Sequence, residues 1–202
     1  SSRIRIKTVA TQIASEQIEF IRNLAYSDVG IVSGIPSGVI PATKSVTRNG
    51  VTFSVNTTIR NIDLPADGTL GGMPNDMSPA DNKLSVIQVV CTSCANSLSV
   101  EYTTAIAPKS LETENGNGAL VIRAIDGSGL PIVGATVLIQ NTALNPNINF
   151  SDVTDSTGVL TIVDAPPSTE EYHITVSKNG YSTEQTYLPG ETSNPNPIKP
   201  HI

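Results

Sequence analysis

The chain has 202 residues, of which 15% are charged, with a net charge of −6 and no Trp. Its Lys and Arg residues are scattered apart from Arg3, Arg5 and Lys7; the clustered cations that a phosphate backbone requires are missing, and nucleic acid is not an expected partner. No 18-residue apolar run occurs either, so no segment reads as a membrane-spanning helix.

The first 25 residues read as an amphipathic helix. Ile6, Val9, Ile13, Phe20 and Leu24 recur at spacings of three or four, with one wider step bridged by Gln17. Ala10, Ala14, Ile18 and Ile21 widen the stripe, and Glu16, Glu19 and Arg22 lie largely off it. Such a face is expected to pack on a sheet. The pattern starts in mid-helix, which predicts that a further segment precedes Ser1. Tyr26-Ser-Asp-Val-Gly30 reads as the helix exit.

After Gly30 the pattern changes to strands and turns. Gly34, Pro36, Gly38 and Pro41 mark a loop, and Asn49-Gly50 is a type I′ hairpin signal. Val51, Phe53, Val55, Thr57 and Ile59 then alternate as a half-buried strand. A long loop rich in Gly, Pro and Asp runs from Asp63 to Asn82, and strands are expected at Leu84–Val90 and Leu98–Ile106. Residues 1–110 therefore read as one helix against an antiparallel sheet, an α+β arrangement.

A polar linker, residues 111–118, leads to an all-β region over residues 119–188. Strands are expected at Ala119–Ile125, Ala135–Gln140, Val159–Val163 and Tyr172–Ser177, separated by turns at Asp126–Gly129, Asp155–Gly158 and Lys178–Gly180. Short strands with turn signals at this spacing indicate a small β-sandwich. Residues 189–202 contain four prolines and no periodicity, so they read as an extended tail.

Two family resemblances rest on these residues. Val121-Ile-Arg-Ala-Ile-Asp126, Gly129-Leu-Pro-Ile-Val-Gly-Ala-Thr-Val137, Thr154-Asp-Ser-Thr-Gly158 and Tyr172-His-Ile-Thr-Val-Ser-Lys-Asn-Gly-Tyr181 resemble the carboxypeptidase regulatory-like domains, which are transthyretin-like β-sandwiches. The resemblance implies a structural spacer, with Gly134-Ala135 turning into a core strand and Tyr181 covering one end of the core. Some related surface domains cross-link a strand Lys to an Asn; Arg123 stands in the first strand here, so no isopeptide bond is expected. The segment Ala14-Ser-Glu-Gln-Ile-Glu-Phe-Ile-Arg-Asn-Leu-Ala-Tyr26, followed by Val29-Gly30, resembles the helix of type IV pilin-like and pseudopilin-like proteins. That resemblance implies other pilin-like subunits as partners through the helix. It also implies membrane attachment through an upstream segment and a cell-surface location. The chain departs from that family's pattern in that the acidic cleavage motif and the apolar stretch after it are absent from these 202 residues.

Two residue groups stand out as candidate sites. Asp63, Asp67, Asp76 and Asp81 lie in the long loop, and a hard cation such as calcium takes six to eight oxygens of the kind that Asp, Asn and backbone carbonyls supply. The spacing matches no EF-hand, and a solvated acidic loop is the alternative. Cys91 and Cys94 have the spacing of a redox motif or half a zinc site. Only His173 and His201 remain as soft ligands, and the residues after Cys94 are strand-like, so a disulfide closing a hairpin is expected. Ser and Thr are abundant but no base accompanies them, and no phosphate-cradling loop joins a strand to a helix. The expected role is therefore non-enzymatic, that of a pilin-like or pseudopilin-like structural subunit of a surface filament or secretion-type assembly. The alternative is an adhesin or carbohydrate-binding module recognising surface ligands through loops such as Asn141–Asp152, and an accessory domain of a hydrolase is a third reading.

Overall fold

A computed structural model describes residues 2–65, 68, 72–74, 80–94, 98–108, 116–187 and 190–193. The chain is α+β, with one N-terminal helix and antiparallel sheets. It divides into two compact units, Ser1–Glu114 and Asn115–Ile202.

The first unit opens with helix α1 (Ser2–Arg22) and a short 3-10 turn (Tyr26–Asp28). Strands β1 (Thr43–Arg48), β2 (Val51–Ile62), β3 (Asn82–Cys91) and β4 (Ser99–Ile106) follow as an antiparallel meander in sequence order. Asn49 and Gly50 both adopt positive φ, 51° and 75°, as a type I′ turn demands. The twelve residues of β2 alternate strictly, so Phe53, Val55, Thr57, Ile59 and Asn61 are all buried on one face. On β3 the same face carries Lys83, Ser85, Ile87, Val89 and Cys91.

Helix α1 supplies Ala10, Ile13, Ala14, Gln17 and Ile21 to this interior. The apolar stripe is therefore narrower than its periodicity suggests. Phe20, expected within it, is 46% exposed and lies under the Lys44 ammonium, 5.9 Å from its ring centre. Three-to-four spacing identifies a stripe; the position of the sheet decides its centre, and that centre passes through Gln17.

Between helix and sheet the chain forms a tight, hydrogen-bonded loop over residues 28–40. Ile31 forms bridges to Ser37 and Ile40, and a Cβ on Gly38 would come within 2.4 Å of the Gly30 nitrogen. Backbone passes backbone too closely there for any side chain.

The second unit contains β5 (Gly118–Arg123), β6 (Thr136–Asn141), β7 (Ile148–Val153), β8 (Val159–Ala165), β9 (His173–Ser177) and β10 (Glu184–Gln185). They form a four-stranded sheet in the order β10-β9-β6-β7 and a two-stranded sheet, β5-β8. Val137, Ile139, Leu160, Ile162 and Ile174 supply its buried residues.

Two expectations are corrected here. Part of the segment Asn141–Asp152, read as a recognition loop, is strand β7, with Asp152 opposite Val137 of β6. Tyr181 does not cover the core, being 51% exposed; Tyr172 is the buried ring, at 4%, and its hydroxyl donates 2.7 Å to the Pro166 carbonyl. Tyr172 stands just before β9, two residues from inward Ile174 and in the same register, whereas Tyr181 follows Gly180 and has left the strand.

Candidate functional site

The helix has one committed face, and its opposite, exposed side is mainly polar, with Gln12, Ser15 and Glu19 along it. Gln17 donates to Thr57, Arg22 Nη2 donates 3.0 Å to the Thr104 hydroxyl, and Arg48 reaches Glu16 at 2.8 Å. These contacts tie α1 to β2, β4 and β1. Ile4, at 69% exposure, and Phe20 are large apolar residues that the sheet leaves accessible. Arg3, Arg5 and Lys7 are exposed along the first two turns.

The acidic loop is held at its neck. Ile62 pairs with Asn82 at the end of the β2-β3 ladder, which brings Asp63 and Asp81 to the same end of the sheet. Asp81 Oδ2 accepts the Leu64 backbone N–H, so this carboxylate serves to close the loop. Asp67 and Asp76 lie outside the described residues. Among the described residues no group of three or more His, Cys, Asp or Glu is placed to hold a metal ion.

Cys91 and Cys94 form a disulfide with Cα atoms 5.6 Å apart. Cys91 lies opposite Phe53 in the ladder and is 5% exposed; Cys94 packs at the edge of the same core. The turn is stapled to β2, because Thr92 N donates to Thr52 O at 3.0 Å and Thr52 N donates to Ser93 Oγ at 2.9 Å. The pair thus locks the end of a hairpin.

His173 lies on β9, and its Nε2 is buried with no hydrogen-bond partner among the described residues; His201 lies outside them. In the second unit, Asp155 Oδ1 accepts from the Thr157 hydroxyl and from the backbone of Thr157 and Val159. Those bonds, the Thr157 hydroxyl foremost, hold its carboxyl below the usual carboxylate range.

Sequence reasoning missed the polar end of the first core. Lys83 is only 7% exposed; its ammonium donates 2.8 Å to the Tyr26 carbonyl and sits 4.4 Å from the Tyr26 ring centre. The period of two through Lys83, Ser85, Ile87 and Val89 carried that signal, since it places the lysine in the inward register.

No helix among the described residues is long and apolar enough to cross a membrane. No family model, curated protein or solved structure matches the chain.

Proposed function

We infer that this chain is a non-enzymatic structural subunit, of the pilin-like or pseudopilin-like kind, in a bacterial cell-surface filament or secretion-type assembly. The observation that carries this reading is the division of the helix. One stripe, centred on Ala14, Gln17 and Ile21, is buried on the four-stranded meander, while Ile4 and Phe20 remain accessible. The side of α1 turned away from the sheet exposes Gln12, Ser15 and Glu19, with Ile4 and Phe20 on its two flanks, about 160° apart around the helix. A helix so mounted offers this mixed surface to helices of other subunits.

The second unit is read as a small β-sandwich of the carboxypeptidase regulatory-like type, displayed at the surface. Its two sheets supply complementary buried rows, Val137 and Ile139 from one and Leu160 and Ile162 from the other. The disulfide supports an oxidising, extracytoplasmic setting. Calcium in the Asp63–Asp81 loop belongs to the same reading as a loop-ordering ion.

The coding sequence immediately upstream of Ser1 tests the assembly reading. An in-frame apolar segment of about 20 residues is expected there. A polar leader or a different domain in its place defeats the reading.

A further inference from the structure

Among the described residues, the second unit has one sheet edge, β5, whose residues 119–122 carry neither charge nor bulge. Open edges are normally blunted by charge, bulges or shortness, because their unpaired N–H and C=O groups recruit other strands. In the first unit β1 carries Lys44 and Arg48, and β4 carries Glu101. In the second, β7 carries Asp152 and β10 is two residues long. On β8 the Asp164 residue has φ 66° and its carboxylate accepts from the Asn117 side chain. Strand β5 has a register shift between Gly118 and Ala119 and then runs Ala-Leu-Val-Ile before its single charge, Arg123; it pairs only with β8 among the described residues.

The burial along β5 points the same way. Leu120 faces Ile162 and Ile122 faces Leu160 across the ladder. The two β8 residues are each 4% exposed, yet their β5 partners are only half-buried. Val121, on the opposite face, is 62% exposed. The interior is thus incompletely covered on one side, the side of the free β5 edge.

We propose that this edge pairs with a second copy of the same strand, antiparallel, about a two-fold axis at Val121. Opposed residues in a ladder point to the same face, and a two-fold normal to the sheet keeps both interiors on one side only if it passes through a residue. With Val121 on the axis, Leu120 stands opposite Ile122 of the second copy, so each half-buried residue covers the other. Arg123 then stands opposite Ala119. The two Arg123 residues are four ladder positions apart, about 14 Å at 3.4 Å per residue, beyond a Debye length of about 8 Å in physiological salt. Parallel in-register pairing stacks Arg123 on its own copy, which disfavours it. The occupant is therefore the same strand in antiparallel sense. One short strand pair covers much less than the roughly 800 Å² per partner of a stable interface, so the dimer is weak in dilute solution. The contact uses no part of the helix, so it stands or falls separately from the assembly reading.

Sedimentation velocity of the full chain from about 10 μM to about 1 mM, together with cysteine pairing, tests this. The wild type should show monomer–dimer exchange, and Val121→Lys, which sets two ammonium groups at the axis from an exposed position, should raise Kd at least tenfold with an unchanged melting midpoint. Val121→Cys should oxidise to a covalent dimer much faster than Thr161→Cys, which lies opposite it on β8. A wild type that stays monomeric throughout, a dimer indifferent to Val121→Lys, or equal oxidation of the two cysteine variants overturns the proposal. Slow hydrogen exchange at β5 edge amides in the monomer also overturns it, because the chain's own remaining segment then covers that edge.

Discussion

The Gln17 side-chain amide donates to the Thr57 hydroxyl across 3.4 Å, in the seam between helix and sheet, where both residues are under 5% exposed. This long bond is the polar centre of an otherwise apolar contact, and Gln17 Oε1 has no hydrogen-bond partner among the described residues. Removing both members of such a pair is neutral or stabilising, whereas removing one leaves a buried group unsatisfied. Gln17→Leu combined with Thr57→Val is expected to raise stability by about 1 kcal/mol in urea melts, while Thr57→Val alone lowers it by about 1 kcal/mol. A double variant less stable than the single one contradicts this account of the seam.

Tyr172 gives a prediction at high pH. Burial pushes its hydroxyl up to about 12 from an ordinary value near 10, because the phenolate is poorly solvated there. A folded-state value above the unfolded one contributes stability that is complete below about pH 10 and is lost as pH rises from about 10 towards 12. Absorbance titration should show a tyrosine ionisation at about pH 12, and Tyr172→Phe should remove it. The variant also leaves the Pro166 carbonyl without its donor, at a cost of about 1 kcal/mol near neutrality.

The acid side concerns Asp155. Its depressed value, caused first by the Thr157 hydroxyl, contributes stability above the ordinary carboxylate range that is lost as pH falls through the folded value. Thr157→Val should move the Asp155 carboxyl resonance titration upward. An unmoved titration contradicts the assigned cause.

Reduction tests the hairpin staple. A loop of about four residues closed by a disulfide restrains the unfolded chain by about 2 kcal/mol in the entropic account. Replacing Cys91 and Cys94 by Ser should lower stability by that amount, and the loss should concentrate in faster hydrogen exchange near Thr92 and Leu98.

The acidic loop separates a clamp from an ion site. Asp81→Ala deprives the Leu64 N–H of its acceptor and should cost about 1 kcal/mol in chelator. Calcium bound to the folded loop should raise the wild-type melting midpoint and leave the Asp63→Asn, Asp81→Asn variant unmoved. An unchanged wild-type midpoint removes calcium from the loop.

Much of the architecture was legible because it rests on local periodicity. Strict alternation from Val51 to Ile59 marked β2, and Asn49-Gly50 marked its turn, since few other pairs accept two positive φ values. Strand β7 was not legible. Its inward row includes Asp152, and Asn and Pro dominate the approach to it, so partners on β6 rather than its own pattern make it a strand. Phe20 and Tyr181 failed for a related reason: both belong to apolar patterns whose covering surface is supplied from elsewhere in the chain. Of the candidate site residues, the cysteines were legible from spacing and strand context. The four aspartates stand out by composition alone, and of the described pair Asp81 closes the loop by accepting a backbone N–H that no spacing rule indicates.

The proposed contact of the open side of α1 with other subunits has a test in cells. A photo-activated cross-linking residue at Phe20, in cells that make the full protein, tests it most directly. Covalent adducts to other helical subunits of one surface assembly are expected, absent when the same residue is placed at Thr161 in the second unit. Adducts at neither position, with the protein recovered as free monomer in the medium, contradict it.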